Sequence, residues 1–263
     1  MHGPALLFCP ADRPDRYAKA ADAADAAILD LEDAVAPDNR ASARESLLAE
    51  PLDPSRTIIR VNPAGTPDFE LDLATLRQSD YRQVMLAKTE TPEQLDALTG
   101  FHVIALCETP LGVENAAAIA AVPQVIALMW GAEDLVGALG GRSSRHADGS
   151  YRDVARYARS RVLIAAAAAA KAAIDTVHID IADLAGLATE VEDAAAAGFA
   201  ATACIHPSQV AVIRAGYAPT QDEIAWAERV LAATEENPGV FQFEGRMVDG
   251  PVLMQARAVL ARR

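Results

Sequence analysis

The sequence predicts an α/β chain folded as a (β/α)8 barrel of the TIM type, with additional helices at the C-terminal end. Two observations carry this reading. Short apolar runs, many of them β-branched, alternate with segments of helical spacing along most of the chain. Almost every run ends on an acid, an arginine, a lysine or a histidine. Strands of a parallel sheet are buried on both faces and so read as unbroken apolar runs. Enzymes built on such sheets collect their polar chemistry at the C-terminal strand ends.

The first strand is expected over Ala5–Cys9. The next runs are Ala27–Leu29, ending on Asp30, Glu32 and Asp33, and Thr57–Ile59, ending on Arg60 and Asn62. Val84–Leu86 leads to Lys88, Val103–Leu106 to Glu108, and Val125–Leu128 to Glu133 and Asp134. A seventh strand is expected at Val177, before His178 and Asp180, and an eighth at Thr202–Ile205, before His206. Helical spacing fills the intervals Pro14–Ala24, Arg40–Ala49, Phe69–Gln78, Pro92–Thr99, Gly112–Ala121, Tyr151–Ala173, Asp183–Ala197 and Pro207–Ala215. Pro14, Pro92 and Pro207 sit in first turns, where a missing N–H costs little. Thr91 with Gln94 has the spacing of a capping box. Regular strand–helix alternation favours a barrel over an open sheet. An open doubly wound sheet stays as the alternative, because periodicity does not show closure. No glycine-rich fingerprint follows the first strand, which weakens a dinucleotide-binding version of it.

Two regions break the alternation. Residues 140–149 form a polar, glycine-containing insertion after the sixth strand, a candidate lid or substrate-contact loop. Beyond the eighth strand, Thr220–Thr234 and Pro251–Leu260 read as further helices joined by 238–249. The expectation is a single barrel domain over 1–263, with 217–263 a helical extension that packs on a neighbouring subunit.

The formal charge of −14 argues against nucleic acid or an anionic membrane as the main partner. No apolar run approaches the roughly 20 residues of a membrane span, and the first residues lack a signal-peptide pattern. The expected location is the cytoplasm. Cys9, Cys107 and Cys204 lie in or beside predicted strands and read as buried thiols, outside any disulfide framework or metal site.

Glu108 and Asp134 end adjacent strands and are the best metal pair, since carboxylates plus water and substrate oxygens suit Mg²⁺; ordinary helix-capping acids are the competing reading. Arg60 is a planar bidentate donor for a carboxylate or an oxyanion; a buried ion pair with Glu32 or Asp33 is its competing reading. Alternation puts Asp30 and Glu32 on one face, so that one of them orients Arg60 or a metal-bound water, and Glu32 is the candidate catalytic partner. Lys88 offers a rival Schiff-base chemistry, opposed by the acids around it, which favour its ammonium form. His178 and His206 are candidate ligands or bases, although single strand-end histidines more often serve as hydrogen-bonding scaffold.

Taken together, the motifs resemble the citrate lyase β-subunit-like family, which includes malyl-CoA, citramalyl-CoA and related β-hydroxyacyl-CoA lyases. The residues that carry the likeness are LFCPADRPDR (7–16), ILDLEDAV (28–35), IRVN (59–62), LCET (106–109), WGAEDL (130–135), CIHPSQV (204–210) and GRMVD (245–249). The resemblance implies a Mg²⁺-dependent lyase, a homotrimer or a dimer of trimers, acting on a small-molecule acyl-CoA and releasing a 2-oxo acid. It implies Glu108 and Asp134 as metal ligands, with Glu108 also facing substrate, and Arg60 as the substrate-carboxylate and enolate contact. It further implies Asp249, from a neighbouring subunit, as the acid–base residue, and Arg16 and Lys19 as contacts to CoA phosphates. The β-subunit of a multi-subunit citrate lyase and a non-catalytic acyl-CoA-binding barrel are the alternatives.

Overall fold

The structure is a computed structural model that describes residues 3–235, 237 and 239–263. The chain divides into two compact units, Met1–Ile213 and Arg214–Arg263.

In the first unit eight parallel strands close into a barrel in chain order. They are β1 (Ala5–Pro10), β2 (Ala26–Asp30), β3 (Thr57–Val61), β4 (Gln83–Leu86), β5 (His102–Cys107), β6 (Val125–Trp130), β7 (Ala172–Asp175) and β8 (Ala201–Cys204). Closure is made where Ala5 and Leu6 of β1 pair with Thr202 and Ala203 of β8, which removes the open-sheet alternative. Because side chains alternate along a strand, every second residue faces the barrel axis. Leu6, Ile28, Ile58, Met85, Ile104 and Met129 belong to one buried cluster drawn from the strands. The residues between them, such as Leu7, Leu29 and Ile59, are buried as well. This double burial is what the unbroken apolar runs anticipate.

Most expected helices form, with local differences. Pro92–Leu98 is a 3-10 helix whose Gln94 side chain accepts from the Thr91 N–H at 3.2 Å. Gly112–Ala121 is divided into Pro110–Glu114 and Ala116–Ala120. The seventh strand departs further from expectation. The helix expected to reach Ala173 runs Asp153–Ala168, and β7 begins at Ala172, before the Val177 where the run was placed. Alanine is the strongest helix former and carries no β-branch. The break comes at Ala170, whose φ of +55° turns the chain, after which pairing with β6 and β8 imposes the strand.

The second unit contains helices Gln221–Ala232 and Gly250–Ala261 packed around Ala227, Val230, Val248 and Ala256. Of the joining segment expected over 238–249, Pro238 lies outside the described residues. The rest holds an antiparallel hairpin, Phe241–Phe243 with Arg246–Val248, that the sequence did not suggest. Its two-residue turn, Glu244–Gly245, has φ of +48° and +79°, the double-positive pattern that matches the twist of hairpin strands.

The three cysteines are buried thiols, as expected. Among the described residues no helix is long and apolar enough to cross a membrane.

Candidate active site

The inward-facing series of each strand runs directly into the charged residues at the barrel mouth. Two residues beyond Ile28 comes Asp30, two beyond Ile58 comes Arg60, and two beyond Leu106 comes Glu108. In the β2–β3 ladder Asp30 stands directly opposite Arg60. The guanidinium Nε donates to Asp30 Oδ1 at 2.6 Å and Nη2 to Oδ2 at 2.5 Å. Asp30 also accepts the backbone N–H groups of Glu32 and Ala34, at 3.0 and 3.1 Å. Its oxygens are therefore committed to holding Arg60 and the loop. Arg60 Nη1 lies 3.4 Å from Glu32 Oε2, and the guanidinium packs over the Phe8 ring at 4.8 Å. Burial works against the Arg60 cation, but the bond to Asp30 and the charges of Asp30 and Glu32 outweigh it and hold the guanidinium firmly charged. Asp30 and Glu32 are thus the partners of Arg60, whereas Asp33 turns to Lys88.

Lys88 gathers the neighbouring acids. Its ammonium bonds Glu32, reaches Asp33 Oδ2 at 3.0 Å and lies 3.3 Å from Asp134 Oδ1. Burial disfavours the ammonium, yet its bonds to Glu32 and Asp33 raise its pKa well above that of a free lysine. A Schiff-base lysine needs the neutral amine, so these contacts work against the aldolase alternative. The backbone of Lys88 has φ of +50°. That left-handed conformation costs a non-glycine residue about 1–2 kcal/mol, and it points the Lys88 N–H at Glu108 Oε1, 3.1 Å away.

Glu108 is buried at the end of β5. Its carboxyl is pushed up to about 8, first by burial and then by the charge of Asp134, with Arg60 and Lys88 opposing. Asp134 lies in the first turn of helix Ala132–Ala138, where a carboxylate is favoured by the helix dipole. Its neighbour Glu133 accepts from Ser144 Oγ at 2.6 Å and so ties the polar insertion to this helix. Between β6 and the helix, Gly131 faces Glu108 closely. A methyl group at Gly131 would lie 2.5 Å from Glu108 Oε2 and 2.9 Å from its Cβ. Just before it, buried Trp130 donates its indole N–H to Asp175 Oδ1 at 2.6 Å and stacks edge-on against Tyr151.

This cluster fits a hard divalent cation. Among the described residues, the five carboxylates Asp30, Glu32, Asp33, Glu108 and Asp134 face two cations, Arg60 and Lys88, a formal charge of −3 when all are ionised. The charge of Asp134 adds to the cost of ionising Glu108, and oxygen donors of this kind select Mg²⁺ over softer metals. Among the described residues no group of three His, Cys, Asp or Glu has the spacing to enclose a metal. The remaining positions therefore suit water and substrate oxygens.

The other anticipated residues are carried by other elements. Arg16 ends the Pro14–Arg16 turn after β1 and Lys19 lies in helix Tyr17–Ala23; both are exposed. Asp249 is the N-cap of helix Gly250–Ala261 in the second unit. His206 Nδ1 sits 2.8 Å from Ser208 Oγ. His178 Nδ1 sits 2.9 Å from Glu190, with Asp183 3.4 Å from Nε2. Each histidine thus has a side-chain partner at its Nδ1. Sequence reasoning missed Gly131 and the breadth of the Lys88 contacts. The position of Gly131, in step with the inward series of β6, was the available signal.

A closed parallel barrel whose mouth holds a pinned guanidinium beside paired carboxylates has the polar strand-end site of an α/β-barrel enzyme. The chain belongs to the HpcH/HpaI aldolase/citrate lyase family, whose profile matches residues 5–207. It is 54% identical over 260 residues to the citrate lyase subunit beta-like protein of Mycobacterium tuberculosis, covering 99% of this chain and 95% of that protein. It is 33% identical over 287 residues to human mitochondrial citramalyl-CoA lyase, covering 96% and 83%. The crystal structure of Mycobacterium tuberculosis CitE with magnesium, acetoacetate and coenzyme A superposes with a TM-score of 0.96 at 54% identity, covering 99% of this chain and 98% of that one. A second structure, citrate lyase beta subunit from the same organism with oxaloacetate and magnesium, gives a TM-score of 0.82 and covers 83% and 98%.

Proposed function

We propose that the protein is a Mg²⁺-dependent carbon–carbon lyase that cleaves or forms a short β-hydroxyacyl-CoA such as malyl-CoA or citramalyl-CoA. The products of cleavage are acetyl- or propionyl-CoA and a 2-oxo acid. The observation that carries this reading is the juxtaposition of Arg60, pinned by Asp30 and Glu32, with the Glu108–Asp134 carboxylates at the C-terminal barrel mouth. Family membership and the magnesium-bound relatives support it.

Cleavage requires the substrate hydroxyl to pass its proton to a carboxylate or water at the barrel mouth as the bond to the thioester α-carbon breaks, leaving the electron pair on an enolate. Bound Mg²⁺, held by Glu108 and Asp134, supplies Lewis acidity toward the hydroxyl and carboxylate oxygens of the substrate. Arg60 donates to oxygen that gains charge in the transition state, and its pinning by Asp30 and Glu32 means no reorganisation is needed then. Asp249, contributed by a neighbouring subunit of a homotrimer, delivers a proton to the enolate carbon and removes it in the condensation direction. Arg16 and Lys19 contact the CoA phosphates.

The test is 2-oxo acid release from malyl-, β-methylmalyl-, citramalyl- and hydroxymethylglutaryl-CoA, with Mg²⁺ or with EDTA. Turnover that EDTA abolishes supports the reading and ranks the substrates. Absence of turnover with every thioester overturns it in favour of the carrier-bound citryl reaction or a non-catalytic barrel.

A further inference from the structure

One residue touches most of the carboxylates at the barrel mouth. The Lys88 ammonium contacts Glu32, Asp33 and Asp134, while the Lys88 N–H holds Glu108. Its contact with Asp134, at 3.3 Å, is longer than its bonds to Glu32 and Asp33. Asp134 is also partly exposed, its side chain 35% accessible, whereas Glu32 is almost wholly buried at 3%. Asp33 is more exposed still, at 57%, so contact length is what sets Asp134 apart: the longest of the three ammonium contacts is the one to the carboxylate assigned to the metal. Retracting from Asp134 leaves the ammonium its two other acids, so it does not become a stranded buried charge.

We propose that Lys88 is a built-in counter-ion that holds Asp134 in the metal-free protein and is exchanged for the divalent cation on loading. Lys88 thereby lowers metal affinity and keeps the empty site folded. This rests on the metal reading above. Lys88 is a positioning residue in this scheme, acting on the carboxylates, with no contact to the reacting atoms required of it. Three consequences follow for the protein without substrate. The empty wild-type site needs no metal for its integrity, because the acids already face a cation. An uncharged side chain at position 88 leaves those acids to repel one another until metal arrives. The same change removes a unit charge within a few ångströms of the incoming divalent ion, a difference that raises affinity at least roughly tenfold even at the dielectric of water.

The experiment is a Mn²⁺ titration followed by electron paramagnetic resonance, with Mn²⁺ as probe, together with thermal unfolding in EDTA and in saturating Mn²⁺. Wild type, Lys88→Met and Lys88→Arg are compared. Lys88→Met is expected to bind Mn²⁺ at least roughly tenfold more tightly, to melt lower than wild type in EDTA, and to recover most of that loss in Mn²⁺. Lys88→Arg, which keeps the charge, is expected to stay near wild type in affinity. If Lys88→Met binds Mn²⁺ no more tightly, or melts lower by the same margin with and without Mn²⁺, the residue is only a structural tie and the inference is overturned. If wild type itself binds no Mn²⁺, the metal reading fails instead.

Discussion

Gly131→Ala isolates the coupling between the β6 turn and the Glu108 carboxylate. Gly131 has φ of −124° and ψ of 123°, ordinary extended backbone that alanine adopts freely. The substitution therefore adds no conformational strain, and by restricting the unfolded chain it would by itself stabilise the fold by about 0.4–1 kcal/mol. What it adds is a methyl group 2.5 Å from Glu108 Oε2 and 2.9 Å from Glu108 Cβ. Non-bonded heavy atoms prefer about 3.5–4.0 Å, so Glu108 must give way by about 1 Å. Because the clash includes Cβ as well as the carboxylate tip, rotation of the carboxylate alone does not relieve it. A displacement of that size at a reacting centre costs about 10²-fold in rate, and disturbing the support of a metal ligand costs about 10–100-fold in affinity. The assays are Mn²⁺ affinity by titration and kcat at saturating Mg²⁺, with circular dichroism and Tm to show that the fold is intact. A folded Gly131→Ala variant with unchanged Mn²⁺ affinity and kcat would refute the reasoning.

Three further outcomes are expected. Arg60→Lys keeps a charge but loses the paired bonds to Asp30 and the fork aimed at substrate, so kcat should fall about 10²–10³-fold with little change in Mn²⁺ affinity; rates near wild type would remove Arg60 from the chemistry. If Asp249 acts across subunits, mixing and exchanging the inactive Arg60→Ala and Asp249→Ala proteins should restore partial turnover, and verified exchange without recovery would count against trans action. His178 has its pKa raised by the bond to Glu190, against the opposing effect of burial. Its contribution to stability is therefore fully present below about pH 6.5 and fades as pH rises through the higher folded-state value. Thermal unfolding of His178→Asn between about pH 5 and 9 should show a flatter decline than wild type over that window; identical slopes would contradict it.

Much of the barrel was legible because its strands are buried on both faces and their charges are confined to one end. The run Thr57–Ile59 before Arg60 and the run Val103–Leu106 before Glu108 each announce a strand and what it carries. Alternation also placed Asp30 and Glu32 together, but it could not decide how Arg60 divides between them. That depends on the ladder register, which sets Asp30 directly across from Arg60. β7 was misplaced because Ala172 and Ala173 lack any β-branched signature, and only neighbouring strands make them a strand. The hairpin at 241–248 was hidden because its strands have three residues each, too few for a period to emerge. Lys88 was visible as a strand-end lysine, but its left-handed backbone, which directs N–H and ammonium to different acids, has no signature in residue type.

The buried indole beside Gly131 has an optical consequence. The chain has two tryptophans, Trp130 and Trp226. Trp130 is fully buried, bonded to a carboxylate and stacked on Tyr151, whereas Trp226 lies half-buried in the other unit. Their emission should separate, with Trp130 at the shorter wavelengths of a dry environment. A Trp226→Phe protein would then carry one tryptophan, attached through a single peptide bond to the glycine that packs on Glu108. Cation entry and substrate closure at the barrel mouth could be followed in real time by that one signal, without an added label.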